Sequence, residues 1–515
     1  MLKRNILFTA LAPMAFAPAL AAQDQRPNIL LFLVDDMGWQ DTSLPFWKEK
    51  TPLNERYHTP NMERLAQMGV KFTQAYANSI SSPTRCSLLT GTNQARHRVT
   101  NYTLVNNSMT DAKSDKVIIP DWNINGIQPV GGINNSFQGT SFVQILRQHG
   151  YNTIHCGKAH FGATKTPGAD PTTFGFNVNI AGHAGGAPAS YYGTARYGHD
   201  ENGRPVSLFS TPGLEAYWDK DVFLSEALTL EAIKALEQNR KLNQPFFLYM
   251  SHYAVHMPIQ ADNRFYQKYK DKGLSDTEAA YCTLVEGMDK SLGDLMDYLE
   301  ETKQIDNTII IFMSDNGGQS VTARTPPLHV QNAPLRDGKG SAHEGGVREP
   351  MIVYWNGVTK ANTSNDKYLI IEDFYPTILE MAQIKDYKTV QPIDGKSFVP
   401  LLTGKGEDPS AGRSLYWNTP NNWIGGDHKV NGVGQTCAVR NGDYKLIYWY
   451  DDGSKELYNI KEDISETTNL VDQYPEIVDR LSKDLGNYLR SVDAQRPSFK
   501  VSGNPCPWPD EPFHD

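Results

Sequence analysis

The run Asn28-Ile29-Leu30-Leu31-Phe32-Leu33-Val34, followed at once by Asp35-Asp36, decides the fold class of this chain. A continuous apolar run of this length is typical of a strand buried on both faces of a parallel sheet. The two aspartates place charge at the carboxyl end of that strand, where open α/β sheets bind their ligands. The sequence therefore predicts an α/β architecture with its chemistry at one edge of the sheet.

Similar apolar runs recur through the first four-fifths of the chain and alternate with helical segments. Further strand candidates lie at 245–250, 307–313 and 350–355. Helix candidates lie near 59–69, 140–149, 220–241, 275–304 and 370–383. Alternation of this kind indicates helices packed around a largely parallel central sheet.

The sequence pattern changes after residue 410. Residues 437–450 and 456–460 predict a short antiparallel pair with a turn at Asp451-Asp452-Gly453. An amphipathic helix is expected at 474–492. We therefore expect a chain of this length to form two domains. The predicted domains are a larger one at 23–410 and a smaller C-terminal α+β domain at 411–515 that contributes to the substrate pocket.

Residues 1–22 have the features of a signal peptide. Lys3-Arg4 form a basic start, Ile6 to Ala19 an apolar core, and Ala19-Leu20-Ala21 an A-x-A cleavage site. The apolar run is too short for a bilayer span and contains no lipobox cysteine, so we expect no stable membrane anchor. The expected location is the periplasm or the extracellular medium.

Composition narrows the class of partner. The 515 residues carry a formal net charge of −9. Because nucleic-acid binding needs a basic face, we expect no nucleic-acid partner. The five cysteines are too few and too scattered for a disulfide framework, although one bridge is possible in an oxidising compartment.

A second polar pair, Asp315-Asn316, follows the strand candidate 307–313 as Asp35-Asp36 follow theirs. Either pair alone also suits an Asx turn or a helix cap. Two pairs at equivalent strand ends instead predict a shared site for one divalent metal ion. Carboxylate and amide oxygens are hard ligands, and a mostly carboxylate shell in an exported protein favours Ca²⁺ over Mg²⁺.

Basic side chains also follow predicted strands. Lys158 and His160 end a strand that starts near Gly150, and alternation along an extended segment would place both on one face. His256 lies just beyond the strand candidate 245–250, and Lys339 lies shortly before 350–355. A single Lys or His is more commonly a solvated or hydrogen-bonded side chain. Several at strand ends indicate a site for an anionic ester.

The stretch Ser81-Ser82-Pro83-Thr84-Arg85-Cys86-Ser87-Leu88-Leu89-Thr90-Gly91 combines S-x-P-x-R with L-L-T-G. Proline suits the first turn of a helix, so we expect a helix to begin at Pro83. Ser81 would then lie near a helix N-terminus, where free N–H groups favour an anion. The pentapeptide alone favours an ordinary helix cap, and the L-L-T-G tail reverses that interpretation.

Together these segments resemble the type I, formylglycine-dependent sulfatases of the alkaline-phosphatase-like superfamily, from Asn28 to the C-terminal helix. Gly442-Asp443-Tyr444-Lys445 and Glu466-Thr467-Thr468-Asn469-Leu470 resemble the family's second domain. The resemblance implies an alkaline-phosphatase-like sandwich and a sulfuric ester hydrolase. Ser81 would be oxidised to formylglycine, whose hydrate attacks sulfur. A serine at this position implies a radical-type sulfatase-maturating enzyme that acts before export.

The resemblance also implies a role for each remaining site residue. Arg85 and Lys158 would hold and polarise the formylglycine. His160 would accept a proton when the sulfated hemiacetal breaks down. His256 and Lys339 would contact the sulfate, and either would protonate the leaving oxygen. The implied metal ligands are Asp35, Asp36, Ser81, Asp315 and Asn316.

Two segments, 96–101 and 187–193, resemble those of gut-bacterial carbohydrate sulfatases. This implies a sulfated carbohydrate substrate, with exo-action on sulfated galactose or N-acetylgalactosamine. Ordinary loop packing explains each candidate sugar-binding residue equally well. These candidates are His97, Arg98, His183, Tyr191, Trp423 and His428.

Two other functions stay open at this point. One is a phosphodiester or phosphonate ester hydrolase of the same superfamily, although relatives of that type often carry two metals and ligands for one are present. The other is a catalytically inactive protein that binds sulfated glycans with Ser81 unmodified.

Overall fold

The computed structural model describes residues 26–320, 331–425 and 428–514. The predicted signal peptide lies outside the described residues. The strands are β1 (Asn28–Val34), β2 (Val70–Tyr76), β3 (Val117–Ile118), β4 (Ile127–Gln128), β5 (Phe137–Gln138), β6 (Asn152–Gly157), β7 (Val178–Ile180), β8 (Phe246–Ser251), β9 (Thr308–Ser314), β10 (Arg348–Tyr354), β11 (Thr363–Asn365), β12 (Leu369–Ile370), β13 (Ser414–Thr419), β14 (Thr436–Asn441), β15 (Tyr444–Trp449), β16 (Lys455–Asn459) and β17 (Ser498–Phe499).

The helices confirm the predicted alternation. They are α1 (Pro52–Arg56), α2 (Pro60–Met68), α3 (Ser81–Thr90), α4 (Gln94–His97), α5 (Phe142–Gln148), α6 (Leu224–Arg240), α7 (Tyr266–Asp271), α8 (Asp276–Glu301), α9 (Glu344–Val347), α10 (Phe374–Met381), α11 (Val399–Thr403), α12 (His428–Asn431) and α13 (Pro475–Ser491). Short 3-10 helices lie at Pro167–Ala169, Pro171–Phe174, Gly193–Ala195, Glu215–Tyr217, Ile305–Asn307 and Ile371–Asp373. Within the described residues, no helix combines the length and apolarity needed to cross a bilayer.

A nine-stranded sheet forms the centre of the molecule. Its strand order is β11-β2-β10-β9-β1-β8-β6-β7, with β12 also paired to β2. All of these pairs are parallel except the two that involve β10. The carboxyl ends of β1, β2, β6, β8 and β9 therefore meet at one edge of the sheet. Because β10 runs the other way, the loop before it reaches the same edge.

Both faces of the sheet are buried, as the continuous apolar strands predict. Ile29, Leu31 and Leu33 of β1 belong to one core cluster, and the alternate residues Leu30 and Phe32 belong to the other. Helices α3, α5 and α10 contact one another on the first face, and α8 contacts both α2 and α6 on the second. This arrangement confirms the predicted α/β sandwich.

The C-terminal region forms a separate four-stranded antiparallel sheet, in the order β13-β14-β15-β16. The predicted α+β character and the antiparallel pairing are confirmed, but the predicted strand 437–450 is wrong. It is two strands joined by a turn at Gly442, whose φ of 60° lies in the left-handed region that glycine enters readily. Asn441-Gly442 is itself a hairpin signal, so the sequence contained the information.

Buried ion pairs hold the C-terminal sheet against the loop before β10. Lys445 on β15 lies 3.0 Å from a carboxylate oxygen of Glu344 and 3.2 Å from one of Glu466. Glu344 also accepts a hydrogen bond from Tyr76 at 2.7 Å and pairs with Arg348 at 3.2 Å. All of these side chains are buried. The network therefore fixes where the C-terminal sheet sits relative to the central one.

The Lys445→Ala variant should lose roughly 3–5 kcal/mol of unfolding free energy, because it leaves Glu344 and Glu466 buried with one cation fewer. Denaturant titration with intrinsic fluorescence measures this loss. Lys483→Ala is the matched control, since Lys483 pairs with Asp479 in an exposed position on α13 and should change stability little. Equal losses in the two variants would contradict the structural role of Lys445.

Candidate active site

Ser81 lies at the centre of the carboxyl edge of the sheet, in the first turn of α3. Its hydroxyl donates to Asp35 Oδ1 at 3.0 Å or to Asn316 Oδ1 at 3.1 Å, and accepts from Lys158 Nζ at 3.0 Å. The predicted helix start at Pro83 is two residues late, since α3 already begins at Ser81. Residue 81 thus has free helix N–H groups on one side and polar side chains from three other loops on the other.

The L-L-T-G tail of the motif has a structural explanation. Gly91 ends α3 with a φ of 66°, and a Cβ atom there would lie 2.8 Å from the side chain of Tyr375. A side chain at this position would therefore be both strained and crowded. The glycine lets α3 end against α10, which fixes the depth of Ser81 in the site.

Three buried carboxylates surround Ser81. Asp35, Asp36 and Asp315 each offer an oxygen, and these oxygens all lie within 4.8 Å of one another. Burial raises the pKa of Asp35 to about 8, against the opposing charge of Lys158 and with the help of Asp315 and Asp36. Burial opposes the ionisation of Asp36 as well, but Lys339 and His256 hold the pKa of that carboxyl below its usual range.

This donor set fits a hard divalent cation. Asn316 Oδ1 and the Ser81 hydroxyl face the same space as the three carboxylates. Crowding three carboxylates away from water is costly unless a positive charge balances them. The residues predicted as metal ligands are therefore brought together, and the acidic triad is suited to hold a metal ion.

Arg85 forms hydrogen bonds with this acidic group and with the neighbouring strand ends. Its Nε donates to Asp315 Oδ2 at 2.9 Å, and its Nη1 donates to the carbonyl oxygen of Lys158 at 3.2 Å and to the hydroxyl of Ser251. In the described structure Arg85 contacts Asp315, Asp35 and the strand ends rather than Ser81. The structure thus places Arg85 as a brace for the carboxylates and for the loop that carries Lys158.

Four basic residues face a cavity of about 740 Å³ above Ser81. Lys158 contacts both oxygens of Asp35 at 2.7 Å, and Lys339 Nζ lies 2.7 Å from Asp36 Oδ1. His256 Nε2 lies 3.5 Å from Asp36 Oδ2. Burial, together with Lys339, lowers the pKa of His256 to about 3. These side chains and His160 form a cationic and hydrogen-bonding rim next to the acidic triad.

The backbone conformation that places His160 at the cavity differs from the predicted extended strand. Residues 158–160 are not extended, because β6 ends at Gly157 and His160 has a φ of 59°. The prediction that strand alternation places Lys158 and His160 on one face is therefore wrong, although both side chains line the cavity. Gly186 packs directly on the imidazole, and a Cβ atom there would lie 2.3 Å from its Cε1.

The protonation state of His160 follows from its contacts. Nε2 lies 2.8 Å from the carbonyl oxygen of Thr103, which only accepts, so Nε2 carries the hydrogen. Nδ1 is buried without a protein partner. Burial and the charges of Lys158 and Arg85 hold the pKa of His160 well below its usual range. The ring is thus neutral, with a free lone pair that can accept a proton.

Among the predicted sugar-binding residues that the structure describes in full, Trp423 alone lines the cavity. His97 is buried and bonds Ser87 and the N–H of Val99. Arg98 pairs with Asp493. Tyr191 is buried and donates to the carbonyl oxygen of His256 at 2.8 Å, and His183 receives the N–H of His160 at its carbonyl oxygen. The backbone of His428 lies in α12, and its side chain lies outside the described part of the chain.

Sequence reasoning missed most of the cavity wall. The additional lining residues include Tyr102, Leu104, Val206, Phe209, Met257, Gln319 and Ile424. Gln319 comes just after Asp315-Asn316-Gly317-Gly318 and donates to Asp36 Oδ2 at 2.7 Å. Tyr102, Met257 and Ile424 directly follow selected residues, whereas Val206 and Phe209 lie in a loop that carries no motif.

A larger cleft of about 890 Å³ lies elsewhere, between the edge of the central sheet and the C-terminal sheet. Its buried cations already have protein partners. Arg348 pairs with Glu344, and Arg440 donates to Tyr76, Gln74 and the carbonyl oxygen of Gly442. The smaller cavity, with Ser81 at its floor, is therefore the candidate active site.

The loop that carries Lys339 is anchored to the C-terminal sheet by His343. Its Nδ1 lies 2.8 Å from Asp337 Oδ2, and its Nε2 lies 2.8 Å from Glu456 Oε2 on β16. Burial alone would lower the pKa of His343. The carboxylates of Glu466, Asp337 and Glu456 instead raise this pKa to about 9. The protonated His343 ring thus connects the carboxyl edge of the central sheet to the C-terminal sheet.

Comparison with known proteins places the chain among sulfatases. A family model described as "Sulfatase" matches residues 27–384, and one described as "N-sulphoglucosamine sulphohydrolase, C-terminal" matches residues 338–492. A sulfatase of Formosa agariphila is 31% identical over 94% of this chain and 92% of that protein. Human N-acetylgalactosamine-6-sulfatase is 30% identical over 73% of this chain and 66% of that protein.

A solved structure agrees with these sequence relatives. The crystal structure of Ps i-CgsB superposes with a TM-score of 0.71 and 25% identity, covering 92% of this chain and 94% of that one. The same protein has been solved in complex with k-i-k-neocarrahexaose. The likeness extends over the C-terminal sheet as well as the central one.

The raised pKa of His343 predicts a pH-dependent stability. The stabilisation by protonated His343 is complete below the unfolded-state pKa of 6.5. It is lost as the pH rises through about 9, because the histidine of the unfolded chain releases its proton at a lower pH than that of the folded chain. The loss should be roughly 3 kcal/mol of unfolding free energy. Denaturant titrations between pH 6 and 10 measure it.

His343→Gln should flatten that pH dependence. His149→Gln is the control, since His149 is exposed and its substitution should leave the slope unchanged. A slope that survives in His343→Gln would assign the titration to another group.

Proposed function

We propose that this chain, which belongs to the sulfatase family and is a sulfuric ester hydrolase, removes sulfate from a sulfated carbohydrate. Relatives named for N-acetylgalactosamine-6-sulfatase activity, and the complex of Ps i-CgsB with an oligosaccharide, support this substrate class. The aromatic rings of Tyr102 and Trp423 at the cavity wall also support it, because such rings stack on sugar faces. We further propose exo-action on sulfated galactose or N-acetylgalactosamine.

The observation that carries the proposal is the position of Ser81. Its oxygen lies within 3.1 Å of Asp35, Asn316 and Lys158, at a helix N-terminus and at the floor of the cavity. We propose that Ser81 is oxidised to formylglycine by a radical-type maturating enzyme before export. In its hydrated form this residue supplies a nucleophilic oxygen and, through its second hydroxyl, a way to expel sulfate.

The remaining residues bind sulfate and move protons. Lys158 donates to the residue-81 oxygen and lowers the cost of negative charge on it. His160 accepts a proton at Nδ1, since its Nε2 hydrogen is held by Thr103. His256 and Lys339 both line the cavity, and we propose that they contact the sulfate. The Lys339 ammonium can donate to the sulfate oxygens and to the leaving oxygen. Nδ1 of the neutral His256 already donates to the carbonyl oxygen of Met257 at 2.9 Å, so Nε2 must gain a proton before His256 can donate in the same way. Arg85 keeps Asp315 and the Lys158 loop in place.

Asp35, Asp36, Asp315, Asn316 and residue 81 would hold one divalent cation, which we propose to be Ca²⁺ rather than Mg²⁺. Bound there, the ion would balance the carboxylates and offset the charge of the sulfate ester. Calcium accepts an irregular shell of oxygens, whereas magnesium demands a near-octahedral one. We also propose the periplasm or the extracellular medium as the location, with domains at 23–410 and 411–515.

Ser81→Ala should lower turnover by at least about a thousandfold, because it removes the nucleophile. Ser82→Ala is the control, since the Ser82 hydroxyl accepts from the N–H of Thr103 and makes no contact with the carboxylates in the described structure. The assay compares sulfate esters of galactose and N-acetylgalactosamine with phosphate diester and phosphonate esters. Preference for phosphorus would favour the alternative hydrolase.

Mass spectrometry of the peptide containing residue 81 tests the modification directly. Protein purified from its native host should show the loss of two hydrogens that accompanies oxidation of serine to formylglycine. An intact serine in active enzyme would rule out the formylglycine mechanism, and an intact serine in inactive enzyme would favour a glycan-binding protein without catalysis.

Metal removal should lower both activity and stability, because the acidic triad would lose its balancing charge. After chelation, Ca²⁺ should restore the melting temperature at lower concentration than Mg²⁺. Asp315→Asn should abolish most of the calcium-dependent rise in melting temperature. A rise of equal size in that variant, or a stronger response to Mg²⁺, would contradict the assignment of calcium to this site.

A further inference from the structure

Asp111, which sequence reasoning did not select, joins two distant parts of the chain beside the cavity. Its Oδ1 accepts from Asn101 Nδ2 at 3.0 Å, from Asn421 Nδ2 at 3.0 Å and from the N–H of Asn422 at 3.2 Å. Its Oδ2 accepts from Trp122 Nε1 at 2.8 Å. A single carboxylate thus receives four N–H groups, two of them from the loop after β13.

Further bonds connect the same two segments. The N–H of Ala112 donates to the carbonyl oxygen of Asn422 at 2.8 Å. The side-chain amide of Asn422 donates to the carbonyl oxygens of Ala112 and Lys113 at 3.3 Å and 3.0 Å. The position of the loop after β13 therefore depends on the segment around Asp111.

Each segment carries one aromatic residue of the cavity wall. Tyr102 follows Asn101, and its backbone is fixed by bonds to Asn101 Oδ1 and to the hydroxyl of Thr110. Trp423 follows Asn422, and its ring covers Gly340, where a Cβ atom would lie 2.2 Å from the indole. Asp111 itself does not line the cavity. It lies behind the wall and is bonded to both of the segments that form it.

We propose that Asp111 is a positioning residue that sets the substrate specificity of the site by fixing Tyr102 and Trp423 as one wall. The sugar ring next to the cleaved ester would stack against this wall. The inference rests on the proposed carbohydrate substrate. A carboxylate is required because it accepts all four donors, whereas an asparagine turns an NH₂ group toward N–H groups that need acceptors.

The sulfate end of the site should not depend on Asp111. Lys339 is held by Asp36 at 2.7 Å and, through its own N–H, by the carbonyl oxygen of Gly318 at 3.0 Å. Lys158 and His160 are held by Asp35 and Thr103. Lys339 Nζ also lies 5.5 Å from the centroid of the Trp423 ring, but its ion pair with Asp36 is shorter and does not involve the loop after β13. Loss of the wall should therefore weaken sugar binding and spare the chemical step.

The test is the steady-state kinetics of Asp111→Asn with a sulfated monosaccharide. KM should rise roughly tenfold, the usual worth of one aromatic contact, while kcat and the inhibition constant of inorganic sulfate stay within about twofold. Asp115→Asn, the same change at an exposed position four residues along, should leave all three values unchanged. A thermal melt confirms that each variant is folded.

Combination with Trp423→Leu decides whether Asp111 acts through the wall. The single Trp423→Leu variant should raise KM to a similar extent, and the double variant should raise it no further. Asn421→Ala, which removes one donor only, serves as a milder test if Asp111→Asn unfolds. An unchanged KM, multiplying effects in the double variant, or a fall in kcat that matches the rise in KM would overturn the inference.

Failure of the underlying function would look different. If the protein does not act on carbohydrates, the unsubstituted enzyme hydrolyses an aryl sulfate but no sulfated sugar. If only the role of Asp111 is wrong, the unsubstituted enzyme hydrolyses the sugar and Asp111→Asn does so with the same KM.

Discussion

The rest of the structure depends on three carboxylates that are buried close together. Asp35, Asp36 and Asp315 have no exposed surface, and their oxygens lie within 4.8 Å of one another. Such a group is unfavourable unless positive charge surrounds it. The chain supplies part of that charge through Lys158, Lys339 and Arg85, whose positions are dictated by the carboxylates they pair with. The need to balance the buried carboxylates therefore determines where the basic side chains of the site lie.

Sheet topology explains how side chains so distant in sequence meet. Five parallel strands end at one edge and bring Asp35, Ser81, Lys158, His256 and Asp315 there from five separate loops. The antiparallel β10 brings Lys339, because the loop before it starts from the same edge. A purely parallel sheet would have placed that loop at the opposite edge, far from the carboxylates. In the described sheet the single reversed strand thus keeps the segment before β10, with Lys339, beside the carboxylates.

Much of this arrangement was predictable because it depends on local patterns. The strand at Asn28–Val34 and the polar pairs that follow two strands identify the edge that carries the acidic triad without a structure. Sequence patterns did not predict the positions at which the backbone departs from regular geometry. His160 has a positive φ, so an extended-strand argument could not place it, and the turn at Gly442 divides a run that looked continuous. His97 and Tyr191 bond inward, which depends on neighbours that no sequence pattern identifies.

Different interactions therefore hold the two ends of the cavity, namely the end that we propose binds sulfate and the end that we propose binds the sugar. The sulfate end consists of charged groups at strand termini, fixed by buried ion pairs within the central sheet. The sugar end consists of loops around 102–104, 186–189, 206–209 and 423–424, which meet only through tertiary hydrogen bonds such as those of Asp111. Substitutions in those loops can alter the sugar that is bound without disturbing the carboxylates. The motifs at the strand ends therefore identify the reaction, whereas the proposed sugar-binding wall depends on contacts between loops that are distant in sequence.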